Sequence, residues 1–258
     1  MSKRIMLTVA YDGTGYAGFQ RQKLDPHTIE GELDRALRAL TGEEIEVIGA
    51  SRTDAGVHAR ANIAVFDTDS SIPADKLCRA VNRFLPDSIR VQKSCEVPQD
   101  FHPRHCSAVK TYEYTIYNAE TPDPVRRLYS CYSFGRFDTA RMQEAAQYLA
   151  GTHDFTSFCS LYSQAETRVR TILEIGVETG AERLPREIVI RVRGTGFLYH
   201  MVRIIAGTLM EVGRGRLAPE EMAEILEARD RRKAGPTAPA CGLVLADFEF
   251  ADGNPERV

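Results

Sequence analysis

From residue 49 to residue 61 the chain reads Gly-Ala-Ser-Arg-Thr-Asp-Ala-Gly-Val-His-Ala-Arg-Ala. Arg52 and Asp54 stand two residues apart in this short, polar, glycine-punctuated stretch. Apolar runs that read as strands flank it, Glu44 to Ile48 and Ala61 to Asp67. A carboxylate beside an arginine, on a loop held between two strands, is an arrangement suited to catalysis. The same triplet also fits a surface ion pair capping a turn. His58 follows in the same stretch and is placed to orient the loop.

Three more segments carry groups that could do chemistry. Thr111-Tyr112-Glu113-Tyr114 alternates aromatic and polar residues, as aromatics packed on a sheet do. Gly18-Phe19-Gln20-Arg21-Gln22 is a polar loop with one cation. Gly196-Phe197-Leu198-Tyr199-His200-Met201-Val202-Arg203 opens an apolar helix that Arg203 interrupts. A guanidinium in such a place needs an anionic partner, because an unpaired buried charge is costly. His200 reads as a satisfied core or interface histidine. His102, His105 and Cys106 are close in sequence, but no second ligand cluster accompanies them, so no metal site is expected.

The bulk composition narrows the classes. The chain has 258 residues, 43% hydrophobic and 27% charged, which is ordinary for a folded globular protein. No apolar run reaches about 18 residues, so no membrane span is expected. Met-Ser-Lys-Arg leads into an alternating strand rather than the apolar core of a signal peptide. Six scattered cysteines without a Cys-x-x-Cys pair suit reduced thiols and a cytoplasmic location. The net charge of −3 speaks mildly against nucleic acid, yet it hides an asymmetry. Acids crowd residues Asp25 to Glu46, whereas Arg168 to Arg216 holds nine arginines against five glutamates and no lysine. Arginine alone suits bidentate phosphate contact, and a solvated charged face would carry the same residues.

The elements that must position these groups follow from periodicity and punctuation. Ile5 to Tyr11 reads as a strand, ended by Asp12-Gly13-Thr14-Gly15. Thr28 caps a helix whose Ile29, Leu33, Ala36, Leu37 and Leu40 share a face, with Gly42 as its stop. Pro73 opens a second helix with Leu77, Ala80, Val81 and Phe84 inward, and Ile89 to Cys95 is a further strand. The order is β-α-β-β-α-β, the split unit of ferredoxin-like sheets. The later residues repeat it with insertions: strand Lys110 to Tyr117, a helix capped by Asp138, strands Val169 to Val177 and Glu187 to Val192, an apolar helix Phe197 to Val212, a short helix from Pro219, and strand Leu243 to Phe250. The expected fold is therefore α+β, with two ferredoxin-like βαββαβ halves whose antiparallel sheets leave a central catalytic cleft. The expected domains are 1–104 and 105–250, with a frayed tail over 251–258.

Taken together, the motifs resemble the TruA family of tRNA pseudouridine synthases along nearly the whole chain. The matching pieces are Gly18 to Gln22, Arg52 to His58, Phe101-His102-Pro103-Arg104, Tyr112-x-Tyr114, Phe155-Thr156-Ser157-Phe158, Thr167 with Arg170, Phe197 to Arg203, and Gly242-Leu243-x-Leu245. Ser51 stands where the family commonly has glycine, and Phe19 where it commonly has tryptophan. The resemblance implies isomerisation of uridine to pseudouridine at positions 38, 39 and 40 of the tRNA anticodon arm. It also implies a homodimer and a reaction without metal or organic cofactor. Asp54 becomes the essential carboxylate, acting as a nucleophile at the sugar carbon or as the base that takes a sugar proton. The target uridine must be flipped out of its stack to reach it. Arg52, Arg203 and Tyr112 join the catalytic group. Arg203 would pair with Asp54, and Tyr112 would stack on the flipped ring. Leu245 would supply an apolar wall, with Gln22 and His58 beside the substrate. Arg21, Arg104 and Arg170 would contact phosphates. A synthase acting on another RNA, and an RNA-binding protein without catalysis, are the alternatives.

Overall fold

The computed structural model describes residues 2–22, 27–180, 186–251, 253 and 255. Among them are ten strands and five α-helices, a mixed α+β protein. They group into two compact units. The first holds residues 1–108 and 245–258, and the second residues 109–244. Residues 245–258 thus return to the first unit, a grouping that adjacency in sequence does not reveal.

The first unit contains β1 (Lys3–Tyr11), α1 (Ile29–Thr41), β2 (Ile48–Gly49), β3 (His58–Thr68), α2 (Ala74–Val81) and β4 (Ile89–Val97). Strand β1 pairs antiparallel with β3 on one side and with β4 on the other. The chain's last strand, β10 (Leu243–Phe250), lies on the far side of β3, and β2 also pairs with β3. Ile5, Leu7 and Val9 are fully buried on one face of β1, while Met6 joins Ile63, Val65 and Phe248 in a cluster on the other. With both faces covered, β1 cannot show a strict apolar–polar alternation.

Helix α1 is written in local signals. Thr28 accepts a hydrogen bond from the Gly31 amide (3.2 Å), and Gly42 ends the helix at φ +74°. Two expectations need correction here. The strand expected over Glu44 to Ile48 shrinks to Ile48–Gly49. Residues 44–47 are tied to α1 instead: Glu44 pairs with Arg38 and the Val47 amide donates to the Asp34 carboxylate (2.8 Å), while the Gly49 amide, on the edge away from β3, donates to that of Glu30 (3.2 Å). Phe84 is not inward, because α2 ends at Val81 and the ring falls in the exposed turn beyond it.

The second unit contains β5 (Ala108–Asn118), β6 (Cys131–Ser133), α3 (Thr139–Gln147), β7 (Gly151–Asp154), β8 (Val169–Thr179), β9 (Glu187–Gly194), α4 (Met201–Gly213) and α5 (Glu221–Ala228). Its strand order is β5-β9-β8-β7, antiparallel throughout, with β6 parallel to β5. Asp138 caps α3 by accepting from the Arg141 amide (3.1 Å). The apolar helix expected from Phe197 begins four residues later, at Met201. His200 takes a left-handed conformation (φ 63°), which an α-helix cannot pass through. The turn expected between β8 and β9 lies largely outside the described residues, as does most of the tail beyond 251. Among the described residues, no helix is long and apolar enough to cross a membrane.

The cap makes a measurable statement about α1. Thr28→Ala should lower the unfolding free energy by about 1 kcal/mol, seen as a lower urea midpoint at an unchanged m-value. An unmoved midpoint would mean that the hydroxyl contributes nothing to the helix.

Candidate active site

The segment between β2 and β3 is held at alternate residues. Asn62, fully buried in β3, accepts from the Ser51 amide (3.2 Å) and donates to the Ser51 carbonyl (2.9 Å). Its amide nitrogen also donates to the Tyr11 hydroxyl (3.1 Å), which shares a 2.7 Å hydrogen bond with Thr53 Oγ1. Burial drives the Tyr11 phenol well above its ordinary pKa, so this hydroxyl keeps its proton. The Thr53 carbonyl accepts from the Phe19 amide (3.1 Å). With Ser51 and Thr53 pinned inward, Arg52 is exposed and Asp54 is half-buried. The Asp54 carbonyl closes a tight turn by accepting from the Val57 amide (3.1 Å), with Gly56 at φ +76°.

Residues 12–19 press against this loop. A Cβ on Gly13 would collide with the Val57 carbonyl, and one on Gly18 would sit 2.8 Å from the Thr53 oxygen. The Gly13 amide donates to His58 Nδ1 (3.1 Å), and Asp12 Oδ1 lies 3.1 Å from the same nitrogen. His58 therefore ties the end of the loop to the turn after β1.

The base of the loop rests on a charge cluster. Buried Glu30 accepts from the Gly49 and Arg21 amides, the latter at 2.9 Å, and lies 3.7 Å from the Arg104 guanidinium. Arg104 donates from Nε to the Gly49 carbonyl (2.7 Å), so both polar groups of Gly49 are held. Burial lowers the Arg104 pKa, and the nearby Arg52 charge lowers it further. Arg21 pairs with Asp34 and, at 2.5 Å, with Glu46, and Gln22 donates to the Ala17 carbonyl (2.6 Å). Leu245 is fully buried in β10.

In the second unit, mostly buried Tyr112 meets Phe197 edge to face, with ring centres 5.2 Å apart. Arg203, in the first turn of α4, donates from Nε to the Ala238 carbonyl (2.8 Å). Arg170 donates to the carbonyls of Thr167 (3.0 Å) and Val169 (2.6 Å), and burial lowers its pKa. Thus Arg21, Arg104 and Arg170, expected at phosphates, each hold a partner within the chain. The six cysteines are all unbridged, and no group of three His, Cys, Asp or Glu residues is placed to hold a metal among the described residues.

A profile of the family described as tRNA pseudouridine synthase matches residues 7–105 and 145–251. The chain belongs to this family. It is 49% identical over 248 residues to tRNA pseudouridine synthase A of Brevibacillus brevis, across 96% of this chain and 100% of the relative. The protein of the same name from Acetivibrio thermocellus is 45% identical with the same coverage. That from Moorella thermoacetica is 45% identical across 95% of this chain and 99% of its own. The segments matched by the tRNA pseudouridine synthase profile include Asp54, Arg203 and Leu245, while Tyr112 falls between them.

Sequence reading missed the residues that hold this loop. Asn62 had a visible signal, an amide inside an apolar strand, which must find partners if buried. Glu30 had none, since an acid in the first turn of a helix is expected for its dipole alone. Asp34 adds a pH dependence. Burial raises its carboxyl to about 6 from an ordinary 3.8, against the lowering effect of the Val47 amide and Arg21. The folded state therefore binds the extra proton between these values, and this group's contribution to stability falls as pH rises from 4 to 6. Asp34→Asn should flatten that part of the profile, measured as urea midpoints at intervals across the window. An unchanged slope would place the titration elsewhere.

Proposed function

We propose that this protein isomerises uridine to pseudouridine in tRNA, at positions 38, 39 and 40 of the anticodon arm. Near-full-length identity to several proteins named tRNA pseudouridine synthase A carries this reading. The chemistry is an isomerisation. The C1′–N1 bond breaks, the uracil turns, a C5–C1′ bond forms, the C5 proton leaves, and N1 ends with a proton.

Asp54 is the nucleophile on the sugar of a flipped-out uridine. The half-exposed carboxylate and the pinned backbone around it support that role, because a group fixed before substrate arrives loses little entropy in reacting. Arg52, exposed beside it, contacts the nucleotide backbone. Arg203 is the cation that serves the Asp54 carboxylate. Tyr112 stacks on the flipped ring, held square by Phe197, and Leu245 is an apolar wall. Gln22 and His58 border the substrate, and Arg21, Arg104 and Arg170 add positive potential toward phosphate. The chain works in the cytoplasm as a homodimer whose subunits carry two ferredoxin-like βαββαβ halves.

Asp54→Asn should bind tRNA nearly as well as the unaltered protein and form no pseudouridine, assayed by mass spectrometry after carbodiimide tagging. Residual turnover would remove the nucleophile assignment. Tagged product absent from the unaltered protein as well would favour an RNA binder without catalysis. Arg203→Ala should slow single-turnover pseudouridine formation by about an order of magnitude or more. An unchanged rate would end the pairing.

A further inference from the structure

The arginines of the first turn of α4 and of the segment after α5 are linked through one short stretch of backbone. Arg203 Nε donates to the Ala238 carbonyl (2.8 Å), and the Ala238 amide donates back to the Arg203 carbonyl (3.1 Å). Residues 235–238 lie directly on α4. A Cβ on Gly207, one turn after Arg203, would collide with the Pro236 carbonyl, and one on Gly235 would come within 2.7 Å of Thr208 Cα. Thr208 Oγ1 accepts from the Gly235 amide (2.9 Å), and the Tyr114 hydroxyl donates to the Pro239 carbonyl (2.9 Å). Arg231 closes this stretch from its other end. Its Nη1 donates to the carbonyls of Gly235 (2.9 Å) and Ala234 (3.3 Å), and its Nη2 to Thr237 Oγ1 (3.2 Å). Its guanidinium is partly buried, and that desolvation lowers its pKa.

We propose that Arg231 is a positioning residue for Arg203, acting through the 234–238 backbone that it clamps. The proposal rests on the reading of Arg203 as the cation that serves Asp54. A long side chain such as arginine loses its directed charge unless part of it is fixed. One guanidinium nitrogen of Arg203 is fixed by a carbonyl, and the position of that carbonyl depends on a loop without regular structure. Arg231 gives that loop three hydrogen bonds from a single planar group, which leaves few alternative loop conformations. The adjacent Arg232 shows the contrast: it is exposed and pairs with Asp230 (2.7 Å) rather than with the loop.

The test is a double-mutant cycle on single-turnover pseudouridine formation with tRNA, using Arg231→Ala, Arg203→Ala and both together. Arg231→Ala should slow the step roughly ten-fold, within the range that coupled neighbours show, while the tRNA dissociation constant stays near that of the unaltered protein. In the Arg203→Ala background the same change should have almost no further effect. Equal losses in both backgrounds, or a loss seen only in tRNA binding, would overturn the proposal and give Arg231 its own contact with RNA or a general structural role. If Arg203→Ala alone leaves the rate untouched, the reading of Arg203 fails first. Thr208→Val guards against misfolding of the arginine variant. It removes the Gly235 anchor at nearly constant volume and should likewise slow turnover only while Arg203 is present.

Discussion

The buried side chain of Asn62 is the constraint on which the candidate site depends. An amide in a strand interior, shut off from water, must satisfy its oxygen and nitrogen within the fold, and each group left unmet costs about 1–3 kcal/mol. Asn62 meets this need with both polar atoms of the Ser51 peptide and with the Tyr11 hydroxyl, which reaches Thr53. Two alternate residues of the loop are thereby fixed inward. Ser51 and Thr53 are buried, while Arg52 between them is exposed and Asp54 beyond them is half-buried. Gly13 and Gly18 complete the clamp, since any side chain there would press on the loop's carbonyls.

The same economy of backbone donors shapes the ground below the loop. Glu30 and Asp34 sit one helical turn apart on α1 and accept amides from Gly49 and Val47. These carboxylates satisfy the amides on the edge of this segment that faces away from β3, and so hold it against α1. Burial disfavours the charge of Asp34, and the nearby Glu30 carboxylate adds to this. Arg21 offsets part of that cost and Arg104 lies against Glu30, yet Asp34 still titrates well above its ordinary range. Arginines in this region thus have structural work to do before any RNA is considered.

In the second unit an analogous device fixes a cation rather than a carboxylate. Strand β5 presents Tyr112 and Tyr114 on one face. The former is braced by Phe197, and the latter donates to the stretch that also holds Arg203. The left-handed His200 delays the start of α4 and leaves residues 195–200 as irregular chain, so Phe197 can turn toward Tyr112 instead of following the helix.

Much of this was open to reading in the sequence because it rests on local chemistry. Thr28, Gly42, Pro73 and Asp138 mark helix ends through the bonds and dihedrals of their own few residues. Periodicity located nearly every long strand and helix, and the Arg52–His58 stretch with its companions marked the family. What only the tertiary structure decided involves partners far apart in the chain. The anchoring of Val47 and Gly49 depends on α1 carboxylates 13 and 19 residues away. The return of β10 to the first unit depends on strands more than a hundred residues earlier. Arg21 and Arg104 show the same division. Their types and positions could be read directly, but Arg21 meets Asp34 and Glu46, 13 and 25 residues on, and Arg104 meets the Gly49 carbonyl 55 residues back. Whether a guanidinium meets a phosphate or a partner of its own chain is decided by the groups that the packed fold brings within reach, and no window of sequence contains that.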